Sequence, residues 1–192
     1  MLSPRLETDR LILRRFKESD IDMQYEIITD NRLANYIKFP NLTKEEELGC
    51  LKDWILNADE SRYEKWVIEL KDGHVPIGNI SVNGIEKKHN YCNVGYVIRY
   101  NYWGKGYASE ALKKVSDYLL EEQNYYLVEC SCNELNTQSS KVMLKAGFKK
   151  DGYIANRRLN KDGTYSGVEY YSKQKYVNGC QKTPSPLTFS LI

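Results

Sequence analysis

The stretch from Tyr91 to Cys130 limits what this chain can fold into more than any other. Tyr91-Cys92-Asn93-Val94-Gly95-Tyr96-Val97-Ile98 reads as a strand, and it runs into Tyr102-Trp103-Gly104-Lys105-Gly106-Tyr107-Ala108. Two glycines there let the backbone bend close to a ligand. Ala108, Ala111, Leu112, Val115, Leu119 and Leu120 follow at helical spacing, and Tyr125 to Cys130 returns as a strand. The unit is therefore strand, glycine loop, helix, strand. Its loop opens a helix whose first N–H groups and positive dipole end suit an anionic phosphate. Small Ala108 keeps bulk away, Ser109 offers a hydroxyl, and Lys105 adds a charge or faces solvent. A Walker ending of Gly-Lys-Ser/Thr is absent, as is the three-glycine dinucleotide pattern, so nucleoside triphosphates are disfavoured. Taken alone, Gly-x-Gly fits an ordinary turn before a helix equally well.

Upstream, Leu11 to Phe16 reads as an opening strand, and Ser19 or Asp20 is placed to cap a helix through Asp22 to Ile27. Thr43-Lys44-Glu45-Glu46 has capping-box spacing, with Leu48, Leu51, Trp54 and Ile55 continuing a helix to about Asp59. Trp66 to Leu70 and Ile77 to Val82 flank a Lys71-Asp72-Gly73 turn as antiparallel strands. Downstream, Asn136 begins a helix that stops at Gly147, and Phe148 to Asn160 with Thr164 to Tyr176 form a closing hairpin. The 192 residues suit one domain, 1–177, followed by a Pro- and polar-rich tail, 178–192, outside the core.

A net charge of +2, from 28 Lys plus Arg against 26 Asp plus Glu, gives no field of the kind nucleic-acid binders use. No apolar run is long enough to span a bilayer and the first residues lack a signal-peptide pattern, so a cytoplasmic protein is expected. Five scattered cysteines fit neither a disulfide framework nor a zinc site, and His74 and His89 sit in polar turns. Reduced, mostly buried thiols and no metal are expected.

Three stretches, taken in order, resemble the GCN5-related N-acetyltransferase (GNAT) family. The likeness is to its branch of ribosomal-protein N-terminal acetyltransferases. They are Leu6-Glu7-Thr8-Asp9-Arg10-Leu11-Ile12-Leu13-Arg14, then Gly95-Tyr96 through Glu110-Ala111, and Asn136-Thr137-Gln138-Ser139 through Lys145-Ala146-Gly147-Phe148. Trp103 stands where the wider family has Gln or Arg, as is usual within the branch. The resemblance implies a single α/β (α+β) domain with a mixed, mostly antiparallel central sheet, split at two parallel strands and flanked by helices.

It also implies an enzyme in which an acceptor amine attacks the thioester of acetyl-CoA directly in a ternary complex, without a metal. On this chain the pyrophosphate would lie on Trp103, Gly104, Lys105, Gly106, Tyr107, Ala108 and Ser109. Backbone groups near Val97 and Ile98 would hold pantetheine, an N–H there would steady the thioester oxygen, and Asn136 would meet the pantetheine arm unless it serves only as a helix cap. The family's usual acid, a tyrosine, is replaced by Met143, which leaves Ser139 as the candidate donor to the sulfur. The usual glutamate is replaced by Asn93. Glu69, Glu86 and Glu110 are the carboxylates in range, and Glu110 has a helix-dipole role available, so no base is assigned. Among sixteen tyrosines, Tyr36, Tyr96, Tyr165, Tyr170 and Tyr171 are candidates for an acceptor cleft. The acceptor, a protein N-terminus or a small amine such as an amino acid, polyamine or antibiotic, is left open. So are the oligomeric state and a non-catalytic acyl-CoA-binding alternative.

Overall fold

The computed structural model describes residues 3–37, 39–56, 64–160 and 162–175. The chain opens with strands β1 (Leu6–Glu7) and β2 (Leu11–Arg14), then helices α1 (Ile21–Thr29) and α2 (Lys44–Leu56). Strands β3 (Lys65–Leu70), β4 (Pro76–Glu86) and β5 (Tyr91–Ile98) lead to helix α3 (Tyr107–Glu121). Strand β6 (Leu127–Asn133), helix α4 (Thr137–Lys145) and strands β7 (Lys149–Leu159) and β8 (Tyr165–Gln174) complete it. The strands form one sheet in the order β1-β2-β3-β4-β5-β6-β8-β7, antiparallel throughout except for the parallel pair β5 and β6.

That parallel pair is joined only over Tyr91–Asn93 against Leu127–Glu129, although β5 runs on to Ile98 and β6 to Asn133. Opposite Asn93, where pairing stops, the β4–β5 register slips between Val82 and Gly84. A bulge bends its strand and increases local twist. Here it turns β4 and β5 away from β6 and opens a split. On the other side of β5, Gly78 pairs with Ile98, and a Cβ at Gly78 would lie 2.2 Å from the Val97 carbonyl oxygen. Only glycine lets the two backbones approach so closely.

Helix α3 buries Ala111, Leu112, Val115, Tyr118 and Leu119 in the main core with Trp66, Ile68 and Ile80, as the 3.6-residue spacing requires. Thr43 and Glu46 make the capping box of α2, with Thr43 N–H donating to Glu46 Oε2 at 2.7 Å and Glu46 N–H to Thr43 Oγ1 at 3.2 Å. Cys92, Cys130 and Cys132 are buried, and burial pushes the Cys130 thiol up to about 12 and that of Cys132 to about 11.

Several boundaries depart from the sequence reading. The opening strand is a hairpin, since the Leu11 N–H donates to the Thr8 hydroxyl at 2.9 Å and Leu6 pairs with Leu13; β2 then ends at Arg14 rather than Phe16. Asp20 does not cap α1. Its carboxylate turns back to accept from the Lys17 N–H and from Arg14, each at 2.8 Å, and Glu18–Asp20 form a 3-10 turn instead. Strand β6 begins at Leu127 rather than Tyr125 and extends past Cys130 to Asn133. The expected end of α2 at Asp59 and the tail 178–192 lie outside the described residues.

Candidate active site

A cavity of about 970 Å³ occupies the split, and its wall carries Val97, Ile98, every residue from Trp103 to Ser109, Asn136 and Ser139. The split thus brings together all the residues that the sequence placed in the site. At the loop, Gly104 and Gly106 adopt φ of +74° and +81°, the left-handed region in which glycine costs least. Gly106 is the cap residue of α3 and no side chain caps that helix, which leaves its first amides facing outward as donors. A Cβ on Gly106 would stand 3.4 Å from an Arg10 guanidinium nitrogen and 3.6 Å from Lys145 Nζ. Two cations therefore converge on the helix N-terminus. Lys105 turns elsewhere, with its ammonium 5.3 Å from the centre of the Tyr102 ring.

Arg10 is the residue that the sequence reading missed. It donates to the Lys105 carbonyl at 3.0 Å and to Glu110 Oε2 at 2.7 Å, while the Thr8 hydroxyl donates to Glu110 Oε1 at 2.5 Å. Burial works to raise the Glu110 pKa, but these bonds outweigh it and hold the carboxylate below its usual range. The only signal in the sequence was that Thr8-Asp9-Arg10 belongs to the first of the resembling stretches. The spacing of about 100 residues gave no hint of contact.

Trp103 pins the loop to the strand, since its indole N–H donates to the Ile98 carbonyl at 2.7 Å. That carbonyl is therefore engaged, and the Val97 carbonyl faces β4 at Gly78. Arg99 N–H donates to Ile77 of β4 at 2.8 Å, so the alternation of an antiparallel ladder turns the Ile98 N–H away from β4, toward the open split. Of the backbone groups expected to meet pantetheine, the Ile98 amide is thus the one that faces the right way.

At the start of α4, the Asn136 side chain accepts from the Ser139 N–H at 3.1 Å, so it is a helix cap. Its Nδ2 makes no hydrogen bond to a described residue, so the cap leaves that donor open. The Ser139 hydroxyl is 2.7 Å from that of Tyr96, and the Tyr96 hydroxyl also reaches the Ser139 carbonyl at 3.1 Å. Burial pushes the Tyr96 phenol far above its ordinary pKa, so it stays protonated. Met143 is fully buried and is not on the cavity wall. Of the five tyrosines named above, Tyr36 and Tyr96 line the cavity; Tyr165, Tyr170 and Tyr171 do not.

Among the described residues, the cavity wall contains no Asp, Glu or His. Glu69 is held by Arg14 and His74, Glu110 by Thr8 and Arg10, and Glu86 accepts from the Lys88 N–H. None of the three candidate bases faces the split.

The sequence profile of the acetyltransferase (GNAT) domain matches residues 10–149. The chain is 28% identical over 170 residues to the uncharacterized N-acetyltransferase YoaA of Bacillus subtilis, covering 88% of this chain and 96% of that one. It is 30% identical over 166 residues to YnaD of the same organism, covering 86% and 94%. Among solved structures, RimL, a ribosomal L7/L12 alpha-N-protein acetyltransferase in complex with coenzyme A, superimposes with a TM-score of 0.79 at 19% identity, over 90% of this chain and 98% of that one. With the split sheet and glycine loop, these matches establish that the chain belongs to the GNAT family of N-acetyltransferases.

Proposed function

We propose that this chain transfers the acetyl group of acetyl-CoA to a primary α-amine, such as the N-terminal amine of a protein or peptide. The observation that carries the choice of amine is the cavity wall with a cation-flanked helix N-terminus at one end and, among the described residues, no carboxylate or imidazole along its length. Acetyl-CoA supplies an activated acetyl thioester. The residues fit it: the amides from Gly106 to Ser109, with Arg10 and Lys145, match a pyrophosphate. Nδ2 of Asn136 is open to the pantetheine arm, and the Ile98 N–H is aimed to hold the thioester oxygen. Ser139 donates a hydrogen bond to the sulfur, with the Tyr96 phenol fixing its hydroxyl from behind. A thiol of pKa about 8.5 leaves readily near neutral pH, so a hydrogen bond suffices and a strong acid is not needed. On that account Ser139→Ala lowers kcat by roughly tenfold and leaves CoA affinity intact, as expected for one hydrogen bond to a charged group. Full activity in that variant would remove Ser139 from the reaction.

Without a base, the acceptor must arrive neutral. At pH 7.5 an α-amine of pKa about 7.7–8.0 is roughly one-third neutral, whereas a lysine amine near 10.4 is neutral in about one molecule in a thousand, a ratio of roughly 300. That difference favours N-terminal amines over lysines and polyamines. The name of the structurally similar RimL points the same way. For a peptide acceptor, kcat/KM is expected to rise with pH in proportion to the free amine and level off at the acceptor's own pKa. Acceptors of different amine pKa should shift that plateau accordingly. A plateau fixed near pH 5–6 for every acceptor would reveal an enzymic base and count against the reading.

A non-catalytic CoA-binding role is the second reading, favoured by buried Met143 and by Asn93 at the place of the usual glutamate. Release of free CoA thiol with peptides, amino acids and polyamines separates the two: tight CoA binding without turnover on any amine selects the second.

A further inference from the structure

Among the described residues, four cationic side chains line the cavity, and they divide between its two sides. Lys105, Lys141 and Lys145 belong to the glycine loop and α4, where the phosphates of CoA are proposed to lie. Arg158 does not. It lies on β7, two strands beyond β6 in the sheet and across the split from the loop that follows β5. A register slip between Ile154 and Arg158 displaces this end of β7, and Arg158 then pairs with Ser166, whose hydroxyl is 2.8 Å from Nδ2 of Asn133 at the open end of β6. Almost every side chain from Lys149 to Leu159 faces solvent, whereas Arg158 is half-buried and reaches the cavity. Its guanidinium makes no ion pair and no hydrogen bond with a described residue. The polar residues that the sheet adds to the lining, Asn79, Ser81, Asn83 and Asn93 from β4 and β5 and Ser131 and Asn133 from β6, are neutral.

Resting on the acetyl-transfer reading, we infer that the acceptor carries a carboxylate close to its reactive amine and that Arg158 binds it. A half-buried guanidinium facing a cavity in which no described residue carries a counter-charge presents a planar fork of donors that a carboxylate matches in two hydrogen bonds. Among the described residues, the same wall holds nothing to attract a second positive charge. Polyamines and aminoglycoside-like amines therefore meet repulsion there, while an acidic peptide N-terminus or an acidic amino acid meets a partner. Neutral Asn and Ser groups complete the lining as uncharged donors and acceptors.

The test uses the full chain saturated with CoA and three hexapeptides with free N-termini. They are alike except for acidic, alanine or lysine residues at their second and third positions, and free glutamate forms a fourth arm. Calorimetry reads binding, and acetylation assays read KM and kcat. The acidic peptide is expected to bind roughly tenfold more tightly than the alanine peptide, and the lysine peptide more weakly than either, from one partly desolvated ion pair. In Arg158→Gln the acidic preference collapses through KM, and in Arg158→Glu the order of acidic and lysine peptides reverses, while CoA affinity and thermal unfolding stay as in the parent. A preference shared by free glutamate identifies a small acidic amine as the source, and one confined to peptides identifies a protein N-terminus. Equal binding of acidic and lysine peptides, or an unchanged preference in Arg158→Gln, overturns the inference. CoA affinity is measured in the same samples. Its absence would sink the acetyl-transfer reading, whereas the charge preference is read from peptide binding with or without turnover.

Discussion

Replacing Gly106 by aspartate will raise the Kd for CoA by roughly a hundredfold or more, because it puts a fixed anion where the proposed pyrophosphate lies. A Cβ at this position lies 3.4 Å from Arg10 and 3.6 Å from Lys145, so the new carboxylate satisfies both cations and repels the incoming phosphates. The backbone at φ +81° tolerates aspartate and asparagine better than other side chains, at a cost of about 1 kcal/mol. Gly106→Asn is therefore the matched control. It carries the same strain and nearly the same shape, and its Kd should rise by only about tenfold. Calorimetry with CoA on both variants, beside thermal unfolding, separates charge from folding. Equal affinity of the Asp and Asn variants would show that the phosphates do not sit at this helix.

The largest stability effect is expected at Arg14. Its guanidinium lies between two carboxylates, 2.8 Å from each oxygen of Asp20 and 2.5 Å from Glu69, and the three side chains are only 12%, 2% and 9% exposed. Arg14→Leu leaves two buried carboxylates without their counter-charge, which costs about 3–5 kcal/mol, a large part of an ordinary domain's stability. Urea unfolding at pH 7 measures it, and a loss under about 1 kcal/mol would show that the network relaxes into solvent. The pH dependence follows from Glu69. Burial works to raise its pKa, but hydrogen bonds from His74 and Arg14 outweigh that and hold it below the ordinary carboxylate value. Its contribution is thus complete above the ordinary value and is lost as pH falls through the depressed one. Removing Arg14 removes that benefit, so the gap between parent and variant narrows as the pH is lowered toward 4.

Local chemistry was legible in the sequence and long-range chemistry was not. The capping box at Thr43, the cap at Asn136, the glycine loop and the apolar face of α3 each depend on residues within a few positions of one another. Each formed as read. Asp20 was misread because propensity gave it to the helix that follows, while a buried guanidinium six residues back was the stronger partner. Arg10, Arg158 and the Tyr96–Ser139 contact join elements far apart in the chain, and single-sequence patterns carry no distance across the fold. Asn93 at the place of the family's usual glutamate was legible in the sequence. That no Asp, Glu or His among the described residues lines the cavity was not.

The bonds that join Thr8 and Arg10 to Glu110 also bear on how the protein reaches its native state. Strands β1 to β5 are neighbours in the sheet in the order of the chain, so much of their pairing forms over modest loops. The glycine loop differs, because one of its supports stands about a hundred residues upstream. Loop closure over that distance is slow relative to local pairing. The N-terminal hairpin therefore leaves the ribosome long before the helix it contacts, and the Arg10–Glu110 contact closes later than the pairing of neighbouring strands. A nascent chain that stalls short of residue 110 would have strands β1 to β5 and no Glu110 for Thr8 and Arg10 to hold.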